Sequence, residues 1–153
     1  MNHGNSLKTI AEKLPLVKEY LKSSRAVYSL LKIDFDEIII DRKKIAIFWS
    51  PKLSERIKLQ AYKEVLHGGI VLALADSAGI LGMVEAAKQN KRAYTSEVFN
   101  TSFLKRLRLG GDFKSVIIKG EIIGRKREEI ILKIEIYQGD SKIMFSKMKY
   151  ILK

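Results

Sequence analysis

The chain contains no cysteine. Disulfides, thiolate zinc sites and cysteine nucleophiles are therefore excluded. Histidine is almost as scarce: His3 and His67 are the only two, and neither sits beside an acidic cluster, so no metal site is expected. The N-terminus lacks the basic-then-apolar layout of a signal peptide, which makes the cytoplasm the expected location. Acid is also in short supply, with 17 Asp and Glu against 29 Lys and Arg, a formal net charge of +12. So large an excess favours polyanionic partners: nucleic acid, an anionic membrane or a phosphate-bearing ligand. A solvated basic surface accounts equally well for most individual charges. The aromatic residues are not clustered with the basic turns, so base stacking is absent from the pattern and nucleic acid ranks low.

What is present is an ordinary globular balance over 153 residues, 46% hydrophobic and 30% charged, enough for one domain with a real core. The most unusual segment is residues 67–83, HGGIVLALADSAGILGM. Apolar or small residues occupy almost every position of the 3.6-residue turn, so the segment reads as a helix buried on all sides. Residues 68–84 fall just short of the roughly 20 needed to cross a bilayer and carry Asp76 and Ser77, so no membrane span is expected. A carboxylate in such a stretch must find hydrogen bonds, change its protonation or serve a purpose. Asp76 is thus the best single handle on function. A bland alternative is a carboxylate satisfied by Ser77 or a backbone amide.

Around this segment the chain divides simply. Residues 6–31 carry a helical pattern interrupted at Pro15, and residues 1–34 read as an N-terminal helical extension. Residues 37–41 and 44–49 are short Ile- and aromatic-rich runs about Asp41-Arg42-Lys43, a hairpin. Residues 54–66 are ambiguous, a loop with a short helical turn. The apolar helix follows over 68–88. Strands are expected at 94–104, 113–123, 129–138 and 142–152, with turns at Gly110-Gly111-Asp112, at 124–127 and at Gly139-Asp140. In the third of these strands Ile130, Leu132, Ile134 and Ile136 share one face. The spacing argues for an antiparallel meander, and only the 68–88 helix is apolar enough to cover it. The fold class is α+β: a curved antiparallel sheet wrapped around a central apolar helix.

Two segments resemble the hotdog-fold acyl-CoA thioesterases, in the branch of the phenylacetyl-CoA and 4-hydroxybenzoyl-CoA enzymes. One is His67-Gly68-Gly69 with Asp76 nine residues after the histidine. The other is Asn100-Thr101-Ser102-Phe103-Leu104, then Leu109-Gly110-Gly111-Asp112. The likeness covers about residues 35–152, and it implies a hotdog domain over 35–153 that hydrolyses an acyl-CoA thioester. It implies a homodimer or a dimer of dimers, with the site between two chains, and calls for no cofactor. Within it the Gly68 amide faces the thioester oxygen. Asp76 is the general base or the nucleophile. His67 and Gly69 order the turn or touch substrate. Ser96 or Thr95 supplies a hydroxyl. Arg106 and Arg108, with Lys105, and Arg125, with Lys126 and Arg127, meet the coenzyme A phosphates, a task suited to arginine's fork of donors. The face bearing Gly79 and Gly82 leaves room for the acyl chain.

One departure from the family stands out. Related enzymes carry Asn or Gln six residues before the histidine, where this chain has Ala61, with Gln60 adjacent. A non-catalytic acyl-CoA-binding or regulatory hotdog protein is the alternative reading. A dehydratase of the same fold fits poorly, because His67 is the only histidine in the folded region.

Overall fold

The computed structural model describes residues 33, 35–51, 61–62, 64–109 and 115–153. The expected N-terminal extension lies outside the described residues except for Ile33, as do Gln60 and the turn Gly110-Gly111-Asp112. Strands β1 (Glu37–Asp41) and β2 (Lys44–Trp49) form the expected hairpin. It turns through Arg42-Lys43, with Arg42 in the left-handed region at φ 51°. Strands β5 (Ala93–Phe103), β6 (Val116–Lys126), β7 (Glu129–Gln138) and β8 (Ser141–Leu152) complete a six-stranded antiparallel sheet of order β1-β2-β6-β7-β8-β5. The inward face of β7 is the one the alternation indicates: Ile130, Leu132, Ile134 and Ile136 are all fully buried.

The central helix runs from Gly68 to Ala87. It consists of α1 (Gly68–Asp76), a 3₁₀ turn (Ser77–Gly79) and α2 (Ile80–Ala87). Its length and apolar composition would suffice to cross a membrane, but two thirds of the relevant window is buried inside the protein, and it is the core helix of the fold. The tightened turn coincides with Ser77, whose hydroxyl donates back to the Leu74 carbonyl at 2.5 Å. Small residues let helix and sheet approach here. A Cβ on Gly120 of β6 would lie 2.8 Å from Ile45 and 3.0 Å from Ala78.

One expectation is sharpened and one is corrected. The ambiguous stretch 54–66 is described only at residues 61–62 and 64–66, and there β3 (Ala61–Tyr62) and β4 (Val65–Leu66) form a separate small hairpin. The cause is tertiary. Leu66 N–H donates to the Leu107 carbonyl at 2.9 Å, and Leu109 N–H donates to the Glu64 carbonyl at 2.8 Å. Buried Leu107 and Leu109 thus stitch the hairpin to the segment after β5, which local propensity does not reveal. The turn expected at 124–127 is displaced. β6 continues through Lys126, and the chain reverses at Arg127-Glu128. Gly124 lies inside the strand, beside a register shift between Ile122 and Gly124, so this glycine marks a bulge, not a turn.

On the outer face of β7, Glu135 accepts from Tyr137 at 2.6 Å and pairs with Lys133 at 3.3 Å and with Lys142. Burial raises its pKa, but the hydrogen bonds from Lys142, Tyr137 and Lys133 outweigh that and hold it at about 2. A depressed carboxylate pKa contributes stability above the unfolded-state value, 4.5, and loses it as pH falls toward 2. Glu135→Gln should therefore lower the melting temperature at neutral pH and flatten its decline between those two pH values. An equally steep decline in the variant would contradict this.

Candidate active site

His67 caps the helix. Its Nδ1 accepts from the Gly69 N–H at 3.1 Å, while its carbonyl accepts from Ile70 and Val71 at 2.9 and 3.2 Å. His67 thus bonds within its own turn through Nδ1. Three of the four leading amides of the helix are accounted for. The fourth, Gly68 N–H, has no acceptor among the described residues. It stands at the positive end of the helix dipole, a natural position for binding developing negative charge. Gly68 is partly exposed, and the Phe103 ring is 3.7 Å from where a Cβ would lie.

Two turns along, Asp76 is half-buried rather than enclosed on all sides. Its Oδ1 accepts two hydroxyls, Thr95 Oγ1 and Tyr150 OH, each at 2.8 Å. Among the described residues nothing donates to Oδ2. The bland partners do not hold it: Ser77 bonds to Leu74 instead. Of the two hydroxyls considered on β5, Thr95 reaches the carboxylate, whereas Ser96 donates to the Lys149 carbonyl at 3.2 Å. The register explains the split. Thr95 pairs with Tyr150 and Glu97 with Lys149, so Ser96 is the extra residue of a bulge.

Tyr150 is the residue that sequence reasoning missed. It lies 74 positions from Asp76, and only the strand pairing brings them together. The one available signal was the pair Gly79 and Gly82 on the helix. Their expected role as space for an acyl chain is corrected: a Cβ on Gly79 would meet the Tyr150 ring at 2.7 Å, and one on Gly82 would meet Ile130 at 3.2 Å. The room they leave is already filled.

The basic residues fall into two groups. Arg106 and Arg108 are exposed in the segment following Phe103, near the Gly68 end of the helix. The backbone of Arg108 is fixed by Gln138, whose amide oxygen accepts at 3.1 Å and whose amide nitrogen donates at 2.8 Å. Arg125 is at the other end, where its guanidinium pairs with Glu85 of α2, 7% exposed and also paired with Lys88. Burial opposes ionisation of Glu85, but the hydrogen bonds from Lys88 and Arg125 hold its pKa below the ordinary value. Among the described residues no group of three His, Cys, Asp or Glu could hold a metal ion.

A curved six-stranded antiparallel sheet around one central helix is the architecture of the hotdog-fold thioester hydrolases. The chain belongs to the thioesterase superfamily, whose family model matches residues 63–144. Solved structures of similar fold include a mutant thioesterase from Pseudomonas aeruginosa, 20% identical, with 91% of this chain and 92% of that chain covered and a TM-score of 0.69. The PaaI protein of the Escherichia coli phenylacetic acid degradation operon is 17% identical, with 92% and 98% covered and a TM-score of 0.65. A hypothetical thioesterase from Streptococcus pneumoniae, solved with coenzyme A, is 17% identical, with 84% and 91% covered and a TM-score of 0.64. At these identities the likeness is one of fold. No curated protein sequence matches the chain.

Proposed function

We propose that the protein is an acyl-CoA thioesterase whose site is completed by pairing two copies of the chain. The observation that carries this reading is a distance. Gly68 and Asp76 are eight residues apart on one helix, about 12 Å at 1.5 Å per residue. A single thioester carbonyl needs its oxygen about 3 Å from the amide and its carbon within reach of the carboxylate or of a water held on it. One chain cannot offer both, whereas two chains related by a two-fold axis can.

The sheet supplies a suitable edge. β5 is an outer strand, and Tyr94, Val98, Phe103 and Leu104 on and just beyond it are 42–54% exposed, an apolar edge of the kind that seeks a partner. Thr95 marks the Asp76 end of β5, and Phe103 marks the Gly68 end. Antiparallel self-pairing centred near Phe99 sets each Thr95 opposite the other copy's Phe103. Asp76 of one copy is thereby brought toward Gly68 of the other.

In the reaction, Gly68 N–H donates to the thioester oxygen and stabilises the charge that develops there. Asp76, acting through Oδ2, either takes a proton from the attacking water or attacks the carbonyl carbon itself. In the first route the tetrahedral intermediate collapses with cleavage of the C–S bond, and the coenzyme A thiolate leaves with the proton from Asp76. The products are the free acid and coenzyme A. In the second route water hydrolyses the resulting anhydride to the same products.

A panel of acyl-CoA thioesters with free-thiol detection tests the reading. Thiol release is expected. Binding without release would select the non-catalytic acyl-CoA-binding protein that Ala61 favours. The same assay tests the phosphate contacts. Neutralising Arg106 and Arg108 together (R106Q/R108Q) should raise KM about threefold to thirtyfold at low salt, as expected for losing one or two charge-assisted contacts. The salt dependence of KM should shrink in parallel, and unchanged kinetics would rule these residues out.

A further inference from the structure

We propose that Tyr150 is a positioning residue of the reaction, tying one oxygen of Asp76 to the sheet so that only the other is presented to the reacting atoms; this rests on the thioesterase reading above. Tyr150 and Thr95 are cross-strand partners on β8 and β5, so their side chains rise from the same face as neighbours. Both hydroxyls end on the same atom, Asp76 Oδ1, at 2.8 Å. Two donors from a rigid sheet fix the carboxylate's rotation. Oδ2 takes no hydrogen bond among the described residues. A purely structural carboxylate would be expected to share its donors between both oxygens, since each can accept.

The surroundings are shaped to hold the phenol in place. Tyr150 is 3% exposed. Its ring occupies the space that Gly79 vacates, where a Cβ would be 2.7 Å from Cε1 and 2.9 Å from the hydroxyl. Gly79 closes the 3₁₀ turn that begins directly after Asp76, so the same three residues set the carboxylate's height and admit its donor. Met148 Sδ, 3.5 Å from the hydroxyl, is a weak alternative acceptor and leaves the strong bond to Asp76. The bulge at Ser96 then removes the next β5 hydroxyl from the site, so Thr95 and Tyr150 are the two hydroxyls placed on the acid.

Tyr150→Phe keeps the ring that fills the Gly79 space and removes only the donor. On an acyl-CoA that the wild type hydrolyses, kcat should fall about tenfold to a hundredfold, the cost of a reacting group held slightly out of place, while KM stays within about twofold. Gly79→Ala, which displaces the phenol sterically, should reproduce the kcat loss. A stability cycle of Tyr150→Phe, Asp76→Ala and the double variant, each single change removing the bond, reads it without turnover. The shifts in denaturation midpoint should be non-additive, the double variant losing less than the sum. Full kcat in active Tyr150→Phe, or an additive cycle, overturns the proposal and leaves the thioesterase reading standing. A wild type that releases no thiol from any acyl-CoA overturns the thioesterase reading and the reaction role of Tyr150 with it, even where the cycle shows coupling.

Discussion

Asp76→Asn should lower kcat for acyl-CoA hydrolysis by about a thousandfold, within the range that general acid–base groups supply. The amide oxygen still accepts from Thr95 and Tyr150, so the two hydroxyls that meet Asp76 Oδ1 at 2.8 Å keep a partner. What changes is the second oxygen, replaced by an NH₂ that can neither take a proton from water nor attack carbon. The melting temperature and the oligomeric state should therefore stay close to wild type. Asp76→Ala should abolish turnover equally but destabilise more, because it removes the acceptor that Thr95 and the buried Tyr150 share. Undiminished turnover in either variant would remove Asp76 from the mechanism. Loss of turnover accompanied by unfolding in both variants would make it a structural residue.

Gly68→Pro should cost kcat about a hundredfold to a thousandfold, as for removal of one oxyanion donor. The substitution deletes the N–H and little else. Gly68 is the first residue of α1, the helical position that best accepts proline, where the missing donor breaks no intrahelical bond. His67 before it has φ −59° and ψ 136°, the extended conformation a pre-proline residue prefers. Added atoms on the Cβ side meet Phe103 at ordinary contact distance. Thermal denaturation should thus show little change, and Gly68→Ala, which keeps the N–H, should retain most activity. If proline and alanine behaved alike, the loss would come from shape, and the amide would have no catalytic role.

Both residues were legible in the sequence because their signals are local: a His-Gly-Gly start, then an acid two turns into an apolar helix. The long strands were legible for the same reason, since alternation along β7 or β8 is written in neighbouring residues. Tyr150 was not. Its hydroxyl looks like any strand tyrosine until the β5–β8 register places it across from Thr95. The β3–β4 hairpin was hidden because its backbone is fixed by residues 107–109, far along the chain. Gly124 misled because glycine marks bulges as readily as turns. Gly79 and Gly82 misled in a related way. Small residues show that something approaches closely, and only the packing shows that it is Tyr150 and Ile130 rather than a ligand.

The account turns on catalysis shared between two chains, and subunit mixing tests this most directly. Gly68→Pro and Asp76→Asn chains, each nearly inactive alone, are co-expressed with different tags and the mixed dimers isolated. If each site takes Gly68 from one chain and Asp76 from the other, every mixed dimer holds one site with both groups intact and one with neither. In a two-fold symmetric assembly, unselected mixtures contain about half mixed dimers, so activity should return to about a quarter of wild type, and purified mixed dimers should reach about half. Activity that stays at the level of the parent variants in properly formed mixed dimers would place both groups in one chain and contradict the shared site.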